Sequence, residues 1–415
     1  SCTAIPTFRR PVAERPAPAR PAASTPRPGR AAARPSRSEA PLPWPLVEAR
    51  APRSLPSGPW LDWSRVITLP RAVAAGLLLN SAALFPSAYA NPEGGEVVAG
   101  QASISQQGGI TTIQQTSDRA ALNWRSFDIN ANELVRFQQP SASSIALNRV
   151  TGENPTTILG QLAANGRVFL INPNGIVFGA DAKVDVNGLM ATTFDISDQA
   201  FMAGENRFEQ REGVAPSFVI NRGEIRIADN GFCFLIGAAV DNEGVIVAQL
   251  GQVVLASGTS FTIDFNGDGL ITYEVSGKVL EQIRGADGKP LSAAVRNSGT
   301  ITAAGGTVAL MGNASRDAFA SVVNNDGVIE AASLVASGGK IILSGGDEGI
   351  VQNTGKLDVS ATEGGAKRGS VELSGQYAGN FGAIDARGYE DAAGGLVKLS
   401  STTHTVVGTD AVIDV

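Results

Sequence analysis

The sequence is poor in the residues on which most active sites and covalent cross-links depend. Its 415 residues include one histidine, His404, and two cysteines, Cys2 and Cys233. A histidine-dependent triad, a zinc site and a disulfide framework all need more than that inventory. Lysine is missing from the first 71 residues, which hold 12 arginines against Glu14, Glu39, Glu48 and Asp62, a balance of +8. The whole chain is −6, so the remainder is −14. Fifteen of the 22 prolines fall before residue 71, and 45 of the 48 glycines fall after Ala90. Two chemically unlike pieces are therefore joined in one chain.

Residues 1–64 have no apolar periodicity, and stretches such as Arg15-Pro-Ala-Pro-Ala-Arg20 bury too little surface to offset conformational entropy. A disordered leader is expected there. Arg65 and Arg71 then flank the apolar run Ala72–Phe85, which ends in Pro86-Ser-Ala88-Tyr-Ala90. A positive flank, a short apolar stretch and a small-x-small exit describe a secretory signal over 65–90, with cleavage after Ala90. The run is too short to span a bilayer, for which about 20 residues are needed. Export would leave Cys233 as the one thiol, and within Phe232-Cys-Phe-Leu-Ile236 it reads as a small core residue.

What the rest of the chain has in abundance is repetition. Asn-x-Gly-x-Ile/Leu begins at Asn221, Asn242, Asn297, Asn325, Asn353 and Asn380, at spacings of 21, 55, 28, 28 and 27 residues. The 55-residue interval reads as two units. Gly-x-Val/Ile-x-Leu alternates with it, beginning at Gly251, Gly306, Gly339, Gly369 and Gly395. Each unit offers short β-branched segments bounded by Gly, Asn or Asp, and Asn and Gly suit corners because they tolerate positive φ. Units of this length predict an all-β chain wound as a parallel β-helix, a solenoid in which each strand pairs with its equivalent one coil later. A β-sandwich is the competing fold, and the lack of tight two-residue hairpins weighs against it.

Residues 91–200 repeat less clearly. Segments 121–129, 133–138 and 168–171 read as strands, 195–202 as a short helical turn, and Trp124 marks a non-repetitive start suited to an N-terminal cap.

The order of segments from Asn123 is specific: Trp124-Arg-Ser-Phe-Asp-Ile129, Val135-Arg-Phe-Gln-Gln-Pro140, Leu147-Asn-Arg-Val-Thr-Gly152, Ile158-Leu-Gly-Gln-Leu162, Asn165-Gly-Arg-Val-Phe-Leu-Ile171 and Asn172-Pro-Asn-Gly-Ile-Val-Phe-Gly179. This set resembles the filamentous haemagglutinin N-terminal domain, the two-partner secretion domain of TpsA-type exoproteins, over roughly residues 92–330. The resemblance implies a right-handed parallel β-helix. It implies export by the Sec translocon and capture by a TpsB-type outer-membrane barrel with POTRA domains. The family's Asn-Pro-Asn-Gly-Ile motif falls on Asn172, Pro173, Asn174, Gly175 and Ile176, as a transporter-recognition element or as a structural turn. Its upstream Asn-Pro-Asn-Leu motif is absent, since Gly152-Glu-Asn-Pro-Thr-Thr157 stands there. In physical terms Pro173 fixes φ and Asn174-Gly175 can supply positive φ, so a tight turn favours the structural role.

Two further readings carry less. Asp264-Phe-Asn266-Gly-Asp268-Gly269-Leu-Ile271 resembles the start of a calcium loop, but the twelfth position is Val275, with Glu274 one short, so a β-turn excursion is expected. Parallel β-helices also host polysaccharide lyases and hydrolases, which need clustered carboxylates. Glu224, Glu243, Asp326 and Asp358 stand singly near repeat corners.

The expected organisation is a leader over 1–64, a signal over 65–90, a secretion domain over 91–330 and continuing β-helix repeats over 331–415 that stop in mid-repeat, as in a truncated chain. The expected function is the secretion domain and first shaft coils of a surface-exposed or secreted adhesin-like exoprotein of a Gram-negative bacterium. It has no catalytic residues, cofactor, metal or nucleic-acid partner, and any host-cell or surface receptor would be met by a further C-terminal region. A secreted carbohydrate-active β-helix enzyme is the alternative.

Overall fold

The computed structural model of the chain describes residues 91–265 and 271–415. The leader, the signal with Ala88 and Ala90, and Asn266 and Asp268 of the candidate calcium loop lie outside the described residues.

The described chain winds as a three-sided parallel β-helix. One coil runs through Ala293–Asn297, Thr300–Thr302 and Thr307–Gly312. The next runs through Ser321–Asn325, Val328–Glu330 and Lys340–Ser344, and each strand pairs in parallel with its counterpart. Inward residues stack like on like: Val308 on Ile341 on Val371, and Leu310 on Leu343 on Leu373, none more than 1% exposed. Continuous stacking of this kind is what buries the apolar face that a single coil could not bury alone.

The six repeat asparagines do not sit at positive φ, contrary to the sequence expectation. The non-glycine residues that do are Asn230, Leu250 and Glu390. The repeat asparagines instead point inward and are fully buried. The Nδ2 of each of the first five donates to the Oδ1 of the asparagine one coil on: Asn221 to Asn242 at 2.8 Å, then Asn242 to Asn297, Asn297 to Asn325, Asn325 to Asn353 and Asn353 to Asn380, each at 2.7 Å. The second Nδ2 hydrogen is given to the carbonyl two residues ahead, as Asn325 gives to Gly327 at 3.2 Å. The repeat glycines follow from close approach, not from handedness. A Cβ on Gly299, Gly327, Gly355 or Gly382 would collide with the carbonyl oxygen of the equivalent glycine one coil earlier.

The 55-residue interval is one coil, not two, because Asn242 pairs directly with Asn297 and Ile246 with Ile301. Its extra length leaves the helix as an antiparallel hairpin, Ser260–Phe265 with Ile271–Ser276, which joins Arg207–Glu209 in a separate three-stranded sheet. That sheet and the short helix Asp198–Ala203, capped by Ser197 and closed by Gly204 at φ 85°, cover the outside of the third face. Outward Phe169 meets Phe201 and Phe208 there, and outward Phe234 meets Phe261, with ring centroids about 6 Å apart, while Phe232 meets Phe265 at 5.4 Å. The cladding explains why 232–237 is buried at every position, and why that segment lacks alternation in the sequence. Cys233 lies inside, paired with Leu189 and Val253, and burial pushes its thiol far up in pKa.

At the N-terminal end the pairing changes sense. Glu96–Ala99 runs antiparallel to Arg119–Trp124, and Ala102–Gln107 runs antiparallel to Ile110–Gln115 through a two-residue turn, closing the end over Trp124.

Replacing Asn325 with Leu strands the Nδ2 donor of Asn297 and the Oδ1 acceptor of Asn353. Each costs about 1–3 kcal/mol when buried unpaired, so urea unfolding of Asn325→Leu is expected to show a loss of about 2–5 kcal/mol. A loss below about 0.5 kcal/mol would mean that the ladder is incidental to stability.

Candidate functional site

The Asn172–Ile176 block joins the strands Arg167–Ile171 and Ile176–Phe178. Asn172 organises it. Its Oδ1 accepts from the Asn174 amide at 3.0 Å and its carbonyl accepts from the Gly175 amide at 3.1 Å, while its Nδ2 reaches back one coil to the Asn154 carbonyl and Thr156 Oγ1, both at 3.0 Å. Asn174 Nδ2 donates to the Gly152 carbonyl at 2.9 Å. Gly175 alone takes positive φ, at 118°, and a Cβ there would press on Ser217 and Phe218 of the following coil. Asn174 does not take positive φ, although the sequence allowed it to.

The block is thus bonded to the coil before it and packed on the coil after it. The segment Gly152–Thr157, which lacks the family's second motif, supplies its hydrogen-bond acceptors. Asn172, Pro173, Gly175 and Ile176 are buried, and Asn174 is half-buried. Little of the block is left to touch a partner once the domain has folded.

A second organiser went unrecognised as such in the sequence, although Leu147-Asn-Arg-Val stood out there as part of a specific set. Asn148 Oδ1 accepts from Trp124 Nε1 at 3.0 Å, tying the capped end to the next coil. Arg149 Nε donates to Asp195 Oδ1 at 2.8 Å and Nη1 to Asp198 Oδ1 at 2.6 Å, which pins the helical cover onto the shaft. Burial alone would lower the Arg149 pKa, but the hydrogen bonds and charges of Asp195 and Asp198 outweigh it and hold the guanidinium more firmly charged. The partners lie 46 and 49 residues away in sequence. Only the pattern of a buried arginine with two distant aspartates would have revealed them.

The carboxylates weighed for catalysis are each occupied by a cation: Glu224 by Arg226, Glu243 by Arg222, Asp326 by Arg296 and Asp358 by Lys356. Asp264 pairs opposite Thr272 within the hairpin. Among the described residues no three histidine, cysteine, aspartate or glutamate side chains gather as a metal would require. Asp241 is the exception in its electrostatics. It is 6% exposed, its Oδ1 has no partner and its Oδ2 lies 3.6 Å from Arg296. Burial pushes its pKa up to about 6; Arg296 opposes the shift, Glu243 adds to it and Arg222 opposes it weakly.

These features define a clad β-solenoid whose most organised segment is a turn between coils. Residues 88–359 match the model of the TPS secretion domain. A heme/hemopexin-binding protein of Haemophilus influenzae strain Rd is 38% identical over 291 residues, 68% of this chain and 30% of that protein. A second protein of that description from Haemophilus influenzae is 32% identical over 252 residues, 56% of this chain and 26% of that protein. The crystal structure of the HMW1 secretion domain from Haemophilus influenzae superposes with a TM-score of 0.66 at 30% identity, covering 78% of this chain and 84% of that one. The chain belongs to the TPS secretion domain family. It carries the secretion domain of an exoprotein exported by two-partner secretion, and such domains work with a cognate outer-membrane transporter. Exoproteins of this type are secreted or surface-exposed in Gram-negative bacteria. The chain spans about 30% of the length of the curated relatives it matches.

Asp241 generates a pH prediction. Its folded pKa exceeds its ordinary value of 3.8, so the folded state holds an extra proton between that value and about 6, and stability falls as pH rises through this window. Urea midpoints compared at pH 4.5 and pH 7.5 should change less in Asp241→Asn than in the native chain. Equal changes in both proteins would contradict the shift.

Proposed function

We propose that residues 91–415 are the secretion domain and first shaft coils of a large, surface-exposed, adhesin-like exoprotein. Sec delivers it to the periplasm, the leader is removed after Ala90, and the POTRA domains of a TpsB-type barrel capture it. The match over residues 88–359 carries this reading. The scarcity of cysteine supports it, since a chain that crosses the periplasm before folding gains from having no second thiol with which to form a trapping disulfide. Parallel pairing is non-local and therefore slow, which helps keep the chain threadable. Coil-by-coil folding outside the cell then favours outward movement. The secretion domain over 91–330 and the repeats over 331–415 are one stacked series in this reading, with receptor recognition placed in a further region. The names of the curated relatives favour a second reading of the whole protein, that it captures heme or hemopexin at the cell surface.

The Asn172–Ile176 block acts in this proposal as a folding turn and not as a contact surface, because its hydrogen bonds are spent within the domain and its side chains are mostly buried. Asn172→Ala, co-expressed with the cognate transporter, is expected to lose about 1–3 kcal/mol in stability and to lose secretion in parallel. Native stability together with abolished secretion would assign the block to transporter contact instead.

A further inference from the structure

The exposed corner before Phe232 carries chemistry that export does not use. The strand Glu224–Gly237 pairs with the coil before it through Ile227 opposite Val186 and Phe232 opposite Gly188, so residues 228–231 face Asn187 alone. The surplus has to leave the stack as a bulge. Ala228, Asp229 and Asn230 are exposed on it, and Asn230 takes a left-handed φ of 62°. Asparagine is among the few residues that adopt this conformation readily. Gly231 then turns back against the shaft, where a Cβ would stand 2.1 Å from the Asn187 carbonyl oxygen. The fold thus demands an Asn-Gly dipeptide at this corner and sets its asparagine in solvent.

Four Asn-Gly dipeptides lie among the described residues, at Asn165, Asn174, Asn187 and Asn230. Three have their side-chain amides held. Asn165 accepts from the Gln139 amide and donates to the Gln139 carbonyl, both at 2.8 Å. Asn174 Nδ2 donates to the Gly152 carbonyl at 2.9 Å, and Asn187 Nδ2 to the Ala142 carbonyl at 3.1 Å. The Asn230 side chain bonds to no described residue. Of the four, it alone combines exposure, an unheld amide and a following residue without a side chain.

We propose that Asn230 is a site of spontaneous deamidation in the folded domain, a self-modification whose only co-reactant is water. The Gly231 nitrogen gives up its proton to solvent base and attacks Asn230 Cγ. The N–Cγ bond forms, the Cγ–Nδ2 bond breaks, and Nδ2 leaves as ammonia with a proton taken from solvent, closing a succinimide ring. Water then opens the ring at either carbonyl. One opening gives aspartate, and the other gives isoaspartate, which adds a carbon to the main chain. Residues 228–231 stand outside the ladder to either neighbouring coil, so the bulge takes up that carbon without moving Ile227 or Phe232. The new carboxylate joins Asp229 on the exposed corner. The site concerns the folded domain and stands independently of the export route.

The test incubates the full chain in mildly alkaline buffer, folded and in parallel unfolded in urea, and follows each Asn-Gly dipeptide over days by tandem mass spectrometry of the digest. Exchange of –NH2 for –OH raises the mass of the fragment that holds the asparagine. In the folded chain Asn230 is expected to convert about tenfold or more faster than Asn165, Asn174 and Asn187, whose amides react only after local opening frees them. In urea the four rates should converge. Asn230→Gly keeps the left-handed corner and removes the amide, so its fragment should gain no mass while the other three behave as before. Equal rates at all four in the folded chain, an Asn230 that stays intact while any of the others converts, or the same mass gain in Asn230→Gly would overturn the proposal.

Discussion

The close approach of one coil to the next at the Asn-x-Gly corner is the constraint on which the rest of the structure depends. Parallel strands stack about 4.8 Å apart, and at this corner the backbone itself must pass beneath the backbone of the neighbouring coil. A glycine is needed there because a Cβ would enter the carbonyl of the glycine below, as at Gly327 over Gly299. The asparagine two residues earlier turns its amide inward and fills the corner with hydrogen bonds to both neighbours. A buried amide is costly unless satisfied, so an asparagine in one coil demands another in the next. Sequence repetition is the consequence of that demand.

Around this shaft, two kinds of addition make the N-terminal region distinct from a plain repeat. The antiparallel strands at the start close the open end over Trp124, and Asn148 fixes that indole from the following coil. The excursions at 198–209 and at the paired strands 260–265 and 271–276 clad the third face with phenylalanines, and Arg149 holds the first of them in place through Asp195 and Asp198. A buried ion pair of this sort adds little net stability over an apolar substitute, and its better-attested contribution is to fix one arrangement among several. Here that arrangement is the seating of an irregular cover on a regular rod.

The solenoid itself was legible in the sequence because identical demands recur at each coil and leave identical residues. The physical reason assigned to those residues was not legible: asparagine and glycine at a corner suggest positive φ, whereas here they report an inward amide and a missing Cβ. The interval from Asn242 to Asn297 misled in a similar way, since length alone does not tell a second coil from a hairpin that leaves and returns. At the candidate site, the turn was readable from Pro173 and Gly175, which act within a few residues of themselves. The acceptors at Gly152 and Asn154, and the aspartates that hold Arg149, were not, because nothing in the spacing of 18 to 49 residues marks them as neighbours.

The pairing of coils across that interval is the most direct point at which to test the account. Val245 and Thr300 lie opposite each other in adjacent parallel strands, and both are accessible on the unclad second face. The variant Val245→Cys/Thr300→Cys adds two thiols to a chain whose described cysteine, Cys233, is buried. If one coil spans the 55 residues, mild oxidation should join the new pair quantitatively within the folded domain, a bond that mass spectrometry of the digest would identify. If the 55 residues make two coils, the strands stand about 9.6 Å apart, beyond disulfide reach, and the absence of that bond would contradict the register on which the whole description rests.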